Sequence, residues 1–347
     1  MSNTPRISVP LRRRTLVRAA VLGAGASLLA KPYVARAAKR YSIAVIPKSL
    51  DNPAFDYAHY GAETRAKELG DVDVIWTGST TADASVEAQI LSGLIARHID
   101  AMAVDAAAAE PLVGPINQAV DKGIVVITWD SDVPKSKRKL FYGVDSFKMG
   151  QLLGENTIKF MGDKGTVILV SGPPGVSNLS QRLGGVKAVL AKYPGVKMLG
   201  PFFDYDDMVK GQELMDNLLV SHPDAGAIVN VAAMAFFGKV SAMPQVIKNK
   251  GKVKLICSDT LAAELPFVAD GYVQALVGQD YWGWGYQTVS IIHNLLTEPH
   301  CHYPELVPQA LPVVTAANVK EWMAKWKGAT TREGTAKAFK EAPIGCM

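Results

Sequence analysis

The stretch VITWDSD, residues 126–132, closes a run of β-branched apolar residues with two carboxylates, Asp130 and Asp132, on either side of Ser131. A carboxylate at the end of a buried strand is costly unless a cation or a hydrogen-bond donor meets it. The pattern recurs, because Lys48, Asp105, Asp259 and Gln279 also follow apolar runs. Such groups could serve as acid and base or hold magnesium. Against this, none of the six histidines falls directly at a strand end, and GxxxxGK[ST], GxSxG, HExxH and CxxC are all absent.

A neutral polyol accounts for the set better, since each hydroxyl is both donor and acceptor. A carboxylate can accept from two adjacent hydroxyls while arginine and glutamine donate to others, and these charge-assisted bonds are the strong ones. Asp105, Asp130 and Asp259 would then balance Lys48 and Arg182 while satisfying the ligand. The apolar faces of a sugar ring need flat partners, which Phe55, Tyr205 and the cluster YWGWGY at 281–286 can supply. For Trp282 and Trp284, helix packing and a cap on the ligand are both open.

The elements that must carry these residues alternate. YSIAVIP precedes a helical stretch that Asn52 can cap, with Pro53 at its first position and Gly70 at its end. VDVIWTG precedes a helix with Val86, Ile90 and Leu94 on one stripe; DAMAV, then IVVITW, follow with a further helix between them. After FYGV a second series begins, with strands at TVILVS, VKMLGPF, AIVNV, VKLICS and YVQALVG. Short strands alternating with helices predict an α/β protein of two doubly wound parallel-sheet lobes. Ligands in open α/β sheets bind beyond the carboxyl ends of the strands, where these polar residues cluster. Met215 and Leu218 read as core positions.

With 347 residues and 48% apolar content the chain exceeds the usual single domain. Seven basic residues and no acid lie in residues 1–38, so the formal charge of +5 becomes −2 without them, and nucleic acid is not an expected partner. That segment reads as an export signal: RRTLVR matches the twin-arginine spacing, a short weakly apolar stretch follows, and VARAA offers a small-residue cleavage site. Cys257, Cys301 and Cys346 are too few and too far apart for a disulfide scaffold or a paired zinc motif, although one bridge is possible. Cys257, in VKLICS, reads as a buried small hydrophobe. EPHCHYP, residues 298–304, is not expected to hold a metal, because neighbouring ligands in a short turn rarely all face one ion.

PKSLDNPAF, VITWDSD, SNLSQRLGGV, DYDDMVKG, CSDT and VGQD, in this order over residues 41 to about 315, resemble the marks of bacterial periplasmic sugar-binding proteins of the ribose-binding type. The resemblance implies two lobes joined by three crossing strands, residues 41–144 with 281–306 and residues 145–279 with 307–347, closing on a ligand by hinge motion. It implies no catalysis and no cofactor, and a permease driven by an ATPase as partner. Carried over by position, it gives ligand contacts to Asn52, Phe55, Asp105, Asp130, Arg182, Tyr205, Asp259 and Gln279. Ala54 replaces one stacking ring, Ser131 an arginine and Val231 an asparagine, so ribose itself is not expected. IPK and TWDSD resemble the branch that binds rhamnose or autoinducer-2, in which the lysine and aspartates touch hydroxyls, adding Lys48, Ser131 and Asp132. Asn178 and Leu179 stand where that branch has an aspartate–glutamine pair, which argues against autoinducer-2.

The expected function is therefore that of an exported receptor that delivers a monosaccharide or sugar alcohol to an importer, with a chemotaxis transducer as a further partner left open. A sugar-responsive regulator would need an amino-terminal helix-turn-helix, for which residues 1–38 are too short. A lyase or isomerase using Asp130 and Lys48 as acid and base is the catalytic rival.

Overall fold

A computed structural model describes residues 39–346; the export signal expected in residues 1–38 lies outside the described residues. The chain begins β1 (Tyr41–Ile46), α1 (Ala54–Leu69), β2 (Val72–Trp76), α2 (Ala84–Ala96), β3 (Ala101–Val104), α3 (Ala109–Asp121), β4 (Val125–Trp129) and β5 (Phe141–Gly143). It crosses over and continues α4 (Ser146–Met161), β6 (Lys164–Ser171), α5 (Ser177–Leu190), β7 (Gly195–Phe203), α6 (Met208–Ser221) and β8 (Ala225–Asn230). Then come α7 (Pro244–Lys248), β9 (Lys254–Ser258), α8 (Leu265–Ala269) and β10 (Val273–Val277). A second crossing leads to α9 (Tyr281–Thr297) and β11 (Leu306–Pro308), a third to β12 (Val313–Thr315) and α10 (Val319–Lys327). The chain closes with α11 (Arg332–Phe339).

Two six-stranded sheets result, ordered β11-β5-β4-β3-β1-β2 and β12-β10-β9-β8-β6-β7. The two orders are the same with corresponding strands exchanged, so each lobe repeats one doubly wound plan. All pairings are parallel except β10 with β12. Helices cover both faces, which is why the strands are apolar nearly throughout; Ile43, Ala44, Val45 and Ile46 are all fully buried.

Within each lobe two helices pack close on glycine. A Cβ on Gly150 would collide with the Arg182 carbonyl, and one on Gly185 with the Phe147 carbonyl, so α4 and α5 meet backbone to backbone. In the first lobe Gly61 and Gly285 bring α1 against α9 in the same way. The crossings are laced together: Gln309 N donates to the Gly143 carbonyl at 2.9 Å and Gly278 N to the Pro312 carbonyl at 2.8 Å. Asp145 and Asp280, one in each of the first two crossings, cap the helices that follow by accepting from Lys148 N and Gly283 N.

Three expectations need correction. The stripe of α2 is shifted: Glu87, Leu91, Leu94 and Ile95 face inward and Val86 is exposed. Glu87 turns in because its carboxylate accepts from Ala107 N at 2.9 Å. Strands β11 and β12, too short to show an alternation, are not legible in the sequence, and β11 pairs with β5, which keeps residues 306–308 in the first sheet. The tail does not stay with the second lobe. After α10, Lys340 pairs with Glu68 at 2.6 Å, Gln287 Nε2 donates to the Ala342 carbonyl, and a disulfide joins Cys346 to Cys301, all on the first lobe. Cys257 is free and buried.

Candidate functional site

The carboxyl ends of the two sheets face each other across a narrow gap of about 30 Å³. Lys48, Asn52, Phe55 and Asp130 line it from the first lobe, Arg182 and Asp259 from the second, and Gln279 from a crossing. Corresponding strands supply corresponding groups: Asp130 follows β4 and Asp259 follows β9. Both adopt left-handed backbone, φ 51° and 72°, a region costly for most residues but tolerated by aspartate. Backbone strain of this kind concentrates at functional sites.

Lys48 is the hub of the first lobe. Its Nζ lies 2.5 Å from Asp130 Oδ2 and 3.6 Å from Asp105 Oδ1, and its backbone N–H donates to Asp105 Oδ2 at 3.2 Å. Burial disfavours the ammonium, but Asp105 and Asp130 prevail and hold it above its ordinary pKa. Arg182 Nη1 donates to the Val231 carbonyl at 3.1 Å, and Nη2 lies 3.9 Å from Asp130 Oδ1 across the lobe boundary. Asp259 accepts from Gln279 Nε2 at 2.8 Å and Tyr281 Oη at 3.2 Å. Burial raises its pKa, and Arg182 opposes the rise.

The floor is aromatic. Phe55 meets Trp129 edge-on at 5.6 Å and Trp284 at 5.7 Å, and Trp284 itself lines the gap. Trp282, by contrast, does not line the gap and stacks on Tyr286 at 4.4 Å within the helix layer.

Four expected residues do not line the gap. Asp105 is fully buried behind Lys48, where burial lifts its pKa well above the carboxylate range. Ser131 is buried and its hydroxyl faces that of Ser177 at 3.1 Å. Asp132 turns to a neighbouring hollow, bound by Arg138 through Nε at 2.5 Å and Nη2 at 2.6 Å. Tyr205 is 58% exposed. Two consecutive left-handed residues, Tyr205 and Asp206, both at φ 57°, point the second one inward instead.

Asp206 therefore lines the gap, as does Asn178. DYDD contains Asp206, but only the local backbone tells which of its residues faces the gap. Asp204 holds the turn by accepting from Asp206 N at 3.0 Å, and burial pushes its own carboxyl up to about 7. Several polar atoms in or at the gap have no hydrogen-bond partner: Asp130 Oδ1, Asn178 Oδ1, Arg182 Nε, Gln279 Oε1 and Trp284 Nε1. Buried polar atoms are nearly always satisfied, and this set offers both acceptors and donors to a molecule held in the gap. Among the described residues no cluster of side chains suits a metal ion.

Comparison with known proteins places this arrangement. Residues 43–299 match the family model described as the periplasmic binding protein domain. The chain is 29% identical to the D-ribose/D-allose-binding protein of Pseudomonas aeruginosa, over 77% of its own length and 86% of that protein's. It is 25% identical to a D-apiose import binding protein of Actinobacillus succinogenes, over 71% and 79%. A solved structure of an ABC transporter solute-binding protein from Burkholderia graminis, in complex with D-arabinose, superposes with a TM-score of 0.77 at 30% identity, covering 81% of this chain and 97% of the other. On these grounds the chain belongs to the periplasmic binding protein family.

Proposed function

We propose that the protein is a periplasmic solute-binding protein that captures a neutral monosaccharide or sugar alcohol between its lobes and delivers it to an ABC importer. The observation that carries this is the convergence of unpartnered polar atoms from both lobes, Asp130 Oδ1 on one side and Asn178 Oδ1 and Arg182 Nε on the other, over the Phe55–Trp284 floor. The similarity to proteins named for ribose, allose, apiose and arabinose supports the ligand class. A ligand that bridges the halves stabilises the closed arrangement, which is the form a permease can distinguish from the unloaded one.

The Cys301–Cys346 disulfide supports an oxidising compartment, and no described helix is long and apolar enough to cross a membrane. The acid–base reading of Lys48 and Asp130 is disfavoured by their geometry: each neutralises the other at 2.5 Å, with Asp105 behind. A thermal-shift screen across aldoses, deoxy sugars and alditols tests the proposal. A saturable rise with at least one sugar, recovered chemically unchanged after long incubation, is the expected result; no shift with any, or conversion of the bound sugar, would overturn it.

A further inference from the structure

Asp206 is a third carboxylate on a gap whose two cations are already engaged. Lys48 is held between Asp105 and Asp130, and Arg182 spends Nη1 on the Val231 carbonyl while Nη2 faces Asp130. Asp259 has found neutral donors in Gln279 and Tyr281. Among the described residues Asp206 accepts no such neutral donor; burial raises its pKa, and Lys48 and Arg182 oppose the rise only at a distance, through charge. Its placement is built in several ways: the left-handed pair Tyr205–Asp206, the brace from Asp204, and Gly172, where a Cβ would stand 2.7 Å from Asp206 Oδ1. The lining thus carries three carboxylates, Asp130, Asp206 and Asp259, against two cations, Lys48 and Arg182.

We infer that Asp206 is a specificity-determining residue that makes the gap demand hydrogen-bond donors, so that it takes uncharged polyols and rejects sugar acids. This rests on the sugar-receptor reading and narrows it. A ligand carboxylate placed near Asp206 would meet like charge in a partly buried site, where one such contact weakens binding by about 100-fold. Hydroxyl hydrogens meet an acceptor there at no such cost.

The test measures by titration calorimetry the best-binding neutral sugar, its alditol as a control for ring opening, and the aldonate and uronate of the same carbon number. The wild type should bind each acid about 100-fold more weakly than its neutral counterpart, and Asp206→Asn should narrow that ratio by about tenfold or more. An acid bound as well as its neutral counterpart by the wild type overturns the inference and leaves the receptor reading intact. A ratio unchanged in Asp206→Asn, or in Asp206→Ser should the amide variant not fold, overturns the assignment to this residue. Failure of every neutral and charged sugar to bind folded protein would remove the receptor reading and this inference together.

Discussion

The Ser177 hydroxyl clasps the backbone of Asp132 from the opposite lobe: it donates to the Asp132 carbonyl at 2.9 Å and accepts from the Asp132 amide at 3.1 Å. Beside it, Asn178 Nδ2 donates to the Asp130 carbonyl at 3.3 Å. The first turn of α5 thus holds the loop after β4 without involving a ligand, and these bonds must break when the lobes part.

Ser177→Ala should therefore lower affinity through the closed state alone. Losing three ordinary hydrogen bonds, two to the Asp132 backbone and one with the Ser131 hydroxyl, costs about 1.5–4.5 kcal/mol in total, which predicts a faster dissociation rate with little change in association. Stopped-flow tryptophan fluorescence with the best sugar reads both rates. Equal changes in the two would show that the clasp does not belong to closure.

Asp130→Ala removes an acceptor and strips Lys48 of its nearest counter-charge, leaving Asp105 at 3.6 Å. Breaking one side of a buried pair costs about 3–5 kcal/mol, so the unliganded melting temperature should fall and the sugar-induced rise should vanish. A preserved rise in differential scanning fluorimetry would remove Asp130 from the site.

Gly150→Ala tests the support rather than the contact. The added methyl would press on the Arg182 carbonyl and displace α5, which carries both the arginine and the clasp. Overpacking typically costs about 1–3 kcal/mol. Both melting temperature and affinity should fall, whereas Gly114→Ala on the open face of α3, where nothing lies within 4 Å of the added carbon, should leave affinity unchanged.

Stability should depend on pH through Glu87, whose carboxyl burial pushes up to about 8. A raised folded-state pKa means that the native protein holds this proton more tightly than the unfolded chain. Its contribution is complete below the ordinary glutamate range and is lost as pH rises toward about 8. Melting temperature should thus decline between pH 5 and 8, limits set by that shift; Asp204, pushed up to about 7, acts in the same direction, so Glu87→Gln should make the decline shallower without abolishing it. A wild-type profile parallel to that of the variant would exclude Glu87 as the cause.

Reducing the Cys301–Cys346 bridge, which spans 45 residues, should destabilise the protein by about 2–4 kcal/mol. Reductant should lower the wild-type melting temperature to that of Cys346→Ser and have no further effect on the variant. A variant that melts with the oxidised wild type would show that the tail adds nothing to the cooperative unit.

The alternation of apolar runs and helices made both lobes legible in the sequence, because buried parallel strands need no polar face. Strand-end residues such as Lys48, Asp130 and Asp259 were legible for the same reason, since charge after a buried run needs a partner. What could not be read was direction. Asp132 sits two positions from Asp130 and leaves for Arg138; Tyr205 and Asp206 exchange roles through two φ values. Asp105 has the right position and serves one layer deeper. Such choices depend on contacts between segments far apart in the chain, including the return of the tail.

That return has a mechanical consequence. Helix α10 is pinned to the second half by Trp326 Nε1, which donates to the Thr260 carbonyl at 2.8 Å, while its indole meets Tyr57 of the first half edge-on at 4.8 Å. With the chain end riveted to the first half, the molecule resembles a jaw with a strap behind the pivot. The Trp326–Tyr57 contact lies in that strap, so opening the jaw would have to shear these two rings past each other.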